Sequence, residues 1–162
     1  MGSHPHRLVM KAKVAPAGPF TVSLADEDSN GAAYLVHMLL SQQADGDTTG
    51  RFAREAARLR PVKLVLTDTQ EACAVVAGPG GLTVTDRVDG RYATAIEAAS
   101  RHLLDVPQLR LAGRFLITGP LRGPRLWSLL RDIAARRVVI GGLLRHYANT
   151  MRFLWLINVR GR

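Results

Sequence analysis

From Pro61 to Ala99 the hydrophobic pattern alternates, and that alternation limits the fold more than any other feature. Val62, Leu64 and Leu66 alternate in "VKLVLTDT", and Leu82 and Val84 alternate in "GLTVTDRV". Between them lies "EACAVVAG", bounded by a Thr67–Gln70 turn and a "GPGG" turn at 78–81. A further turn, "DGR" at 89–91, leads into "YATAIEAA". Side chains of a strand point alternately to its two faces, so this spacing predicts four short strands with one buried face and one wet face. Tight turns between them predict an antiparallel meander. A half-apolar sheet must be covered, and the rest of the chain reads as helices.

Two helices precede the strands. Ser29 and Asn30 suit an N-terminus, and Tyr34, Leu35, Met38 and Leu39 then follow on one apolar face. His37 lies beside that face and reads as a hydrogen-bonded surface histidine. "ADGDTTG" breaks this helix, and Thr48 or Thr49 is placed to cap a second one, with Phe52, Ala56 and Leu59 inward. After the strands, Ser100 opens a short helix containing Leu103 and Leu104. Residues 106–125 are irregular, and "RLWSLLRDIAA" reads as another helix. A fifth strand is expected near Arg137–Ile140. Gly141–Gly142 form a flexible joint before a terminal helix from about Leu143, with an apolar stripe of Leu143, Tyr147, Met151 and Leu154. Residues 1–25, with Pro5, Pro16, Gly18 and Pro19, read as a flexible N-terminal arm, leaving 26–160 as the folded domain.

The fold class expected is therefore α+β: a five-stranded, mostly antiparallel sheet covered on one face by helices. At 162 residues the chain suits one domain, and a chain of this size buries roughly 70% of its unfolded surface. One cysteine, Cys73, excludes an internal disulfide and fits a reduced, cytoplasmic setting. No window approaches the ~18 apolar residues of a membrane span.

The run "PVKLVLTDTQEACAVVAGPGGLTVTDRVDGRYATAIEAASRHLLDV", followed by "RRVVIGGLLRHYANTMRFLWLINV", resembles a bacterial member of the type-2 sterol carrier protein family. The likeness lies in the order of strands and turns and in the glycine-led entry to the terminal helix, over residues 26–158. It implies an apolar tunnel between sheet and helices that holds a sterol, fatty acid, acyl-CoA or isoprenoid-type ligand, with no catalytic residues. The Gly-, Pro- and Arg-rich segment 106–125 departs from the family pattern near the tunnel entrance.

The residues expected to line this cavity are Tyr34, Leu35, Met38, Leu103, Leu104, Phe115, Leu126, Trp127, Leu130, Leu143, Tyr147, Met151, Leu154 and Trp155. Net charge is +9, and all but three of the 22 basic residues are arginine, whose fork suits carboxylate and phosphate. Arg122, Arg125, Arg145 and Arg152 are the expected rim for an anionic head group. Each Arg close to an anionic leaflet contributes about 1 kcal/mol, so peripheral contact with a membrane surface is a second expectation.

Enzymatic signatures are missing. There is no G-x-S-x-G elbow and no H-E-x-x-H, and "GPGG" lacks the Gly-Lys-Ser/Thr ending of a phosphate loop. Five histidines are scattered without ligand spacing, so neither a metal nor a cofactor is expected. The carboxylates Asp68, Glu71, Asp86 and Asp89 fall at turns. Two other functions remain in view. An Arg-rich module binding nucleic acid or another polyanion fits the charge, but only 6% of residues are aromatic and no strand interleaves them with arginine. A protein-interaction scaffold would dock its terminal helix on a partner, or on a second copy as a homodimer.

Overall fold

A computed structural model describes residues 20–105, 131–143 and 145–158. In chain order the elements are β1 (Thr21–Leu24), α1 (Gly31–Asp45), α2 (Arg51–Ala56), β2 (Val62–Leu66), β3 (Glu71–Gly78), β4 (Gly81–Thr85), β5 (Thr94–Ala98), α3 (Ser100–Asp105), β6 (Val139–Gly141) and α4 (Tyr147–Leu156). Residues 131–134 are also helical.

The strands form one sheet in the order β1-β4-β3-β2-β5-β6. The meander holds for β2, β3 and β4, which pair antiparallel through the expected turns. It fails at β5, which pairs parallel with β2 rather than following β4. The outer edge of β4 is already taken by β1, also in parallel. The connection 86–93 is long enough to reach the far side of β2, where Thr94 and Ile96 line up with Val62 and Leu64. β6 closes the other edge antiparallel to β5, one residue later than the sequence suggests. The sheet thus has six strands, not five, and mixed pairing. It remains an α+β sheet with helices on one face.

The extra strand is β1. It lies within the segment read as an arm, and only residues 1–19 of that segment fall outside the described part. Gly81 makes the pairing possible: a Cβ there would stand 1.9 Å from the Thr21 carbonyl oxygen. Only glycine lets the two backbones approach so closely.

One face of the sheet carries Val62, Leu64, Leu66, Cys73, Val75, Leu82, Val84 and Ile96, all buried. α1 covers it with Ala32, Ala33, Val36, Leu39 and Leu40. This face overlaps the expected one at Leu39 and, at its margin, Leu35, but is rotated away from Tyr34 and Met38. Tyr34 is 58% exposed and Met38 55% exposed, whereas Leu35 packs at the margin of the core. The alanines explain the rotation, because small side chains let a helix sit close on a sheet where tyrosine and methionine would hold it away. The frame is fixed at the helix start. Asn30 Oδ1 accepts from Ala33 N (2.9 Å), and Glu71 accepts from Ala32 N (3.0 Å). Farther along, His37 Nε2 contacts the Val22 carbonyl (3.3 Å) and Ser41 Oγ (3.3 Å), the surface role read from the sequence.

The terminal helix α4 begins at Tyr147, one turn later than expected. Its buried face is Asn149, Thr150, Met151, Phe153 and Leu156. Tyr147 is 42% exposed, and Leu143 and Leu154 are half-buried. A buried polar cluster sets this phase. Arg60 N–H donates to Asn149 Oδ1 (2.8 Å), and Asn149 Nδ2 donates to the Arg60 carbonyl (3.2 Å) and to Thr94 Oγ1 (3.1 Å). Thr150 Oγ1 lies 3.3 Å from Thr94 Oγ1. One carboxamide thus meets both backbone polar groups of a residue just before β2, as a neighbouring strand would. The helix's apolar face is consumed internally, with Phe153, Leu156 and Ile157 fully buried in the core.

The joint before α4 divides its two glycines. Gly141 is paired in β6, while Gly142 turns with φ of +77° and would bring a Cβ to 2.6 Å from the Ala93 oxygen. Two carboxylates tie further segments together. Asp68, in the β2–β3 turn, accepts from Ser100 N (3.0 Å) and Oγ, and the hydroxyl and backbone bonds of Ser100 hold its pKa below 3.8. Asp132 lies 3.5 Å from His102 Nδ1 and 3.4 Å from an Arg137 nitrogen.

Candidate functional site

The connection between α1 and α2 must reverse the chain in five residues, and its "GDTTG" sequence supplies a carboxylate for the purpose. Asp47 accepts from Thr49 N (3.2 Å), Thr49 Oγ1 (2.9 Å), Arg51 N (3.2 Å) and Phe52 N (2.7 Å). Burial pushes the Asp47 pKa up, but the Thr49 hydroxyl and the Phe52 and Thr49 amides outweigh it and hold it below 3.8. Asp47 is therefore the main cap of α2. Thr49, one of the two expected caps, adds a weaker bond to Arg51 N (3.3 Å).

Once capped in this way, α2 presents Arg51 and Arg54 on one edge and turns Phe52 into the core. The end of α4 faces it. Arg152 is bound to Glu55 at 3.0 Å and donates to the Arg58 carbonyl (3.2 Å). Three residues on, Trp155 receives the Arg51 guanidinium over its ring, with Cζ 4.9 Å from the centroid.

Between these segments lies a cleft of about 440 Å³, within the size range of small-molecule sites. Phe52 and Trp155 give it an aromatic floor, the buried amides Gln43 and Asn158 flank that floor, and Arg51 and Arg54 stand on its wall. Trp155 Nε1 is buried and has no hydrogen-bond partner. A buried unpaired donor costs about 1–3 kcal/mol, and so marks a place where complementarity is incomplete. No family model matches this chain, and no curated protein matches it. Among solved structures, one described as a UbiJ-SCP2 ubiquinone synthesis protein is similar. It has 11% sequence identity and a TM-score of 0.49, covering 78% of this chain and 94% of that one.

The expected cavity set is only partly assembled in the structure. Trp155 lines the cleft. Leu35, Leu154 and Met151 are buried or half-buried on the core side of their helices. Tyr34, Met38, Leu104 and Tyr147 are exposed on the surface, and Leu143 is half-buried in the turn after β6. Phe115, Leu126, Trp127 and Leu130 lie outside the described residues, as does the side chain of Leu103. In the described part the layer between sheet and helices is filled by residues without solvent exposure, including Val36, Leu40, Leu64 and Phe153. The cleft sits at the margin of that layer.

The expected cationic rim changes as well. Arg122 and Arg125 lie outside the described residues, and Arg145 is exposed ahead of α4. Arg152 differs from the expected rim in that its guanidinium is paired with Glu55. The cations that do line the cleft, Arg51 and Arg54, were readable in "ADGDTTGRFAR": an Asx-type loop running into a helix places an arginine at its first turn. Among the described residues no group of three or more His, Cys, Asp and Glu is arranged to hold a metal. The Cys73 thiol is pushed up to about 12 by burial, with Asp86 and Glu71 adding to the shift, so it stays protonated and unreactive.

Proposed function

We propose that this chain is a non-catalytic binding protein for a lipid-type small molecule, whose apolar body rests on the Phe52–Trp155 floor of the cleft. The observation that carries the reading is the aromatic-floored concavity of about 440 Å³ between the α1–α2 loop and the end of α4. Each CH₂ moved from water onto such a floor contributes about 0.8 kcal/mol when fully buried, so a medium-length chain reaches micromolar affinity after ordering costs. Asp47, the one carboxylate among the described residues of the cleft, is engaged by backbone and hydroxyl donors, which supports binding over acid–base chemistry. No helix among the described residues is long and apolar enough to cross a membrane. A cytoplasmic carrier that meets a bilayer only at its surface goes with this reading.

The test is titration with N-phenyl-1-naphthylamine, a neutral apolar fluorophore. Saturable 1:1 binding at micromolar concentration is expected. Thr48 is exposed at the cleft wall, so Thr48→Trp fills the space without touching the core, and it should abolish the signal. Binding that persists undiminished in a folded Thr48→Trp protein would show that the cleft is not the site.

A further inference from the structure

We infer that the cleft selects amphiphiles with an anionic head, read by Arg51 and Arg54. This rests on the proposed binding of a lipid-type ligand and assigns the part of the ligand that the floor does not hold. The two arginines are three residues apart on one edge of α2 and share one cavity wall. Among the described residues no carboxylate pairs with either guanidinium. Arg87, Arg137 and Arg152, by contrast, are paired with Asp26, Asp132 and Glu55. The nearest acid in the cleft, Asp47, is held by the loop that it caps.

Geometry leaves both cations free to accept an anion. Arg51 lies over the Trp155 ring in a cation–π contact, which uses none of its N–H donors as hydrogen bonds to a carboxylate. Arg54 uses one nitrogen on the Thr49 carbonyl (3.2 Å) and retains the remaining donors. Other exposed arginines among the described residues lack carboxylate partners too, and a solvated face explains them. What separates Arg51 and Arg54 is the aromatic floor beside them: charge at the mouth and apolar surface below match an amphiphile end for end. A carboxylate and a phosphate satisfy this chemistry alike, since both accept the arginine fork in two-point fashion.

Three ligands with the same chain test the inference: laurate, dodecyl phosphate and dodecanol, each competed against N-phenyl-1-naphthylamine at low and at 0.5 M salt. Laurate and dodecyl phosphate should bind at least tenfold more tightly than dodecanol, and the advantage should shrink in high salt. In Arg51→Gln/Arg54→Gln the ratio of acid to alcohol should fall below threefold. Arg51→Lys, which keeps the charge and loses the fork, should fall between, with far-ultraviolet circular dichroism confirming the fold of each variant. Which of the two anions binds better separates a carboxylate source from a phosphate source. Equal affinity for dodecanol and laurate, or undiminished preference in the double variant, would overturn the anion assignment alone. Failure of all three ligands and of the fluorophore would overturn the proposed function with it.

Discussion

Replacing Asn149 with alanine isolates the device that fixes the terminal helix. The substitution removes three hydrogen bonds: two with the backbone N–H and C=O of Arg60 and one with Thr94 Oγ1. Thr94 is 1% exposed but keeps Thr150 Oγ1 as a partner, so it is not orphaned. At about 1 kcal/mol net per bond the loss is about 3 kcal/mol, with any cavity left by the truncated side chain adding to it. For a chain of this size that lowers Tm by about 6–12 °C. The measurement is thermal unfolding by circular dichroism at 222 nm, with a urea titration to confirm an unchanged m-value. Thr150→Val offers a second arm. Asn149 and Thr150 share Thr94, so the two losses should be non-additive by at least about 0.5 kcal/mol in a double-mutant cycle. A Tm within 2 °C of the parent for Asn149→Ala, or strict additivity in the cycle, would show that water replaces the carboxamide and that apolar packing alone sets the helix phase.

Two further outcomes follow from backbone geometry and from the loop carboxylate. Gly81→Ala should detach β1 from β4, because the new Cβ would meet the Thr21 backbone at 1.9 Å; Gly78→Ala, with nothing within 4 Å, is the neutral control. Hydrogen exchange at residues 21–24 distinguishes them, and equal protection in the two variants would contradict the close approach. Asp47→Ala should cost about 1 kcal/mol at neutral pH through loss of the α2 cap. The Asp47 pKa is lowered on folding, so this contribution is present above the unfolded value of 3.8 and disappears as pH falls below it. The Tm gap between parent and variant should therefore narrow as pH falls below 3.8 and through the lower folded-state value, and a gap that does not narrow in that range would refute the assignment.

The sequence is most legible where local rules are sufficient. β2, β3 and β4 follow from alternation and turn residues, and the α1 cap follows from Asn30. What escapes is set by distant partners. β1 has four residues, too few for a periodic signal, and its place depends on a glycine 60 residues later. The parallel pairing of β5 depends on which sheet edge remains free. In α1 and α4 the expected Leu39 and Met151 are buried, but Tyr34, Met38 and Tyr147 are not, and Ala32, Ala33, Asn149 and Thr150 are buried in addition. Close approach favours small side chains, and a satisfied polar cluster fixes a helix as firmly as apolar ones do. Trp155 was named from its position near the end of an apolar helix, and it lines the cleft. The loop before α2 carries a local signal for Arg51 and Arg54, but nothing local joins them or Phe52 to Trp155, about 100 residues later, and only the tertiary fold unites them.

The same distant contacts explain why the cleft exists at all. Between α2 and the end of α4, apolar packing from Phe52 and Phe153 is joined by polar links that dictate spacing: Glu55 with Arg152 at 3.0 Å, and Arg51 stacked on Trp155 at 4.9 Å. An ion pair and a cation–π contact hold their partners at set distances, and directionless apolar collapse does not. Asn149, six residues before Trp155 on the same helix, fixes the rotation of α4 from the other side. With rotation and separation both set, the indole cannot settle fully into the core, and its Nε1 stays without a hydrogen-bond partner beside a cavity. The opening is thus built by side chains that oppose close packing, at a margin of the helix layer where aromatic surface meets arginines that have no carboxylate partner among the described residues.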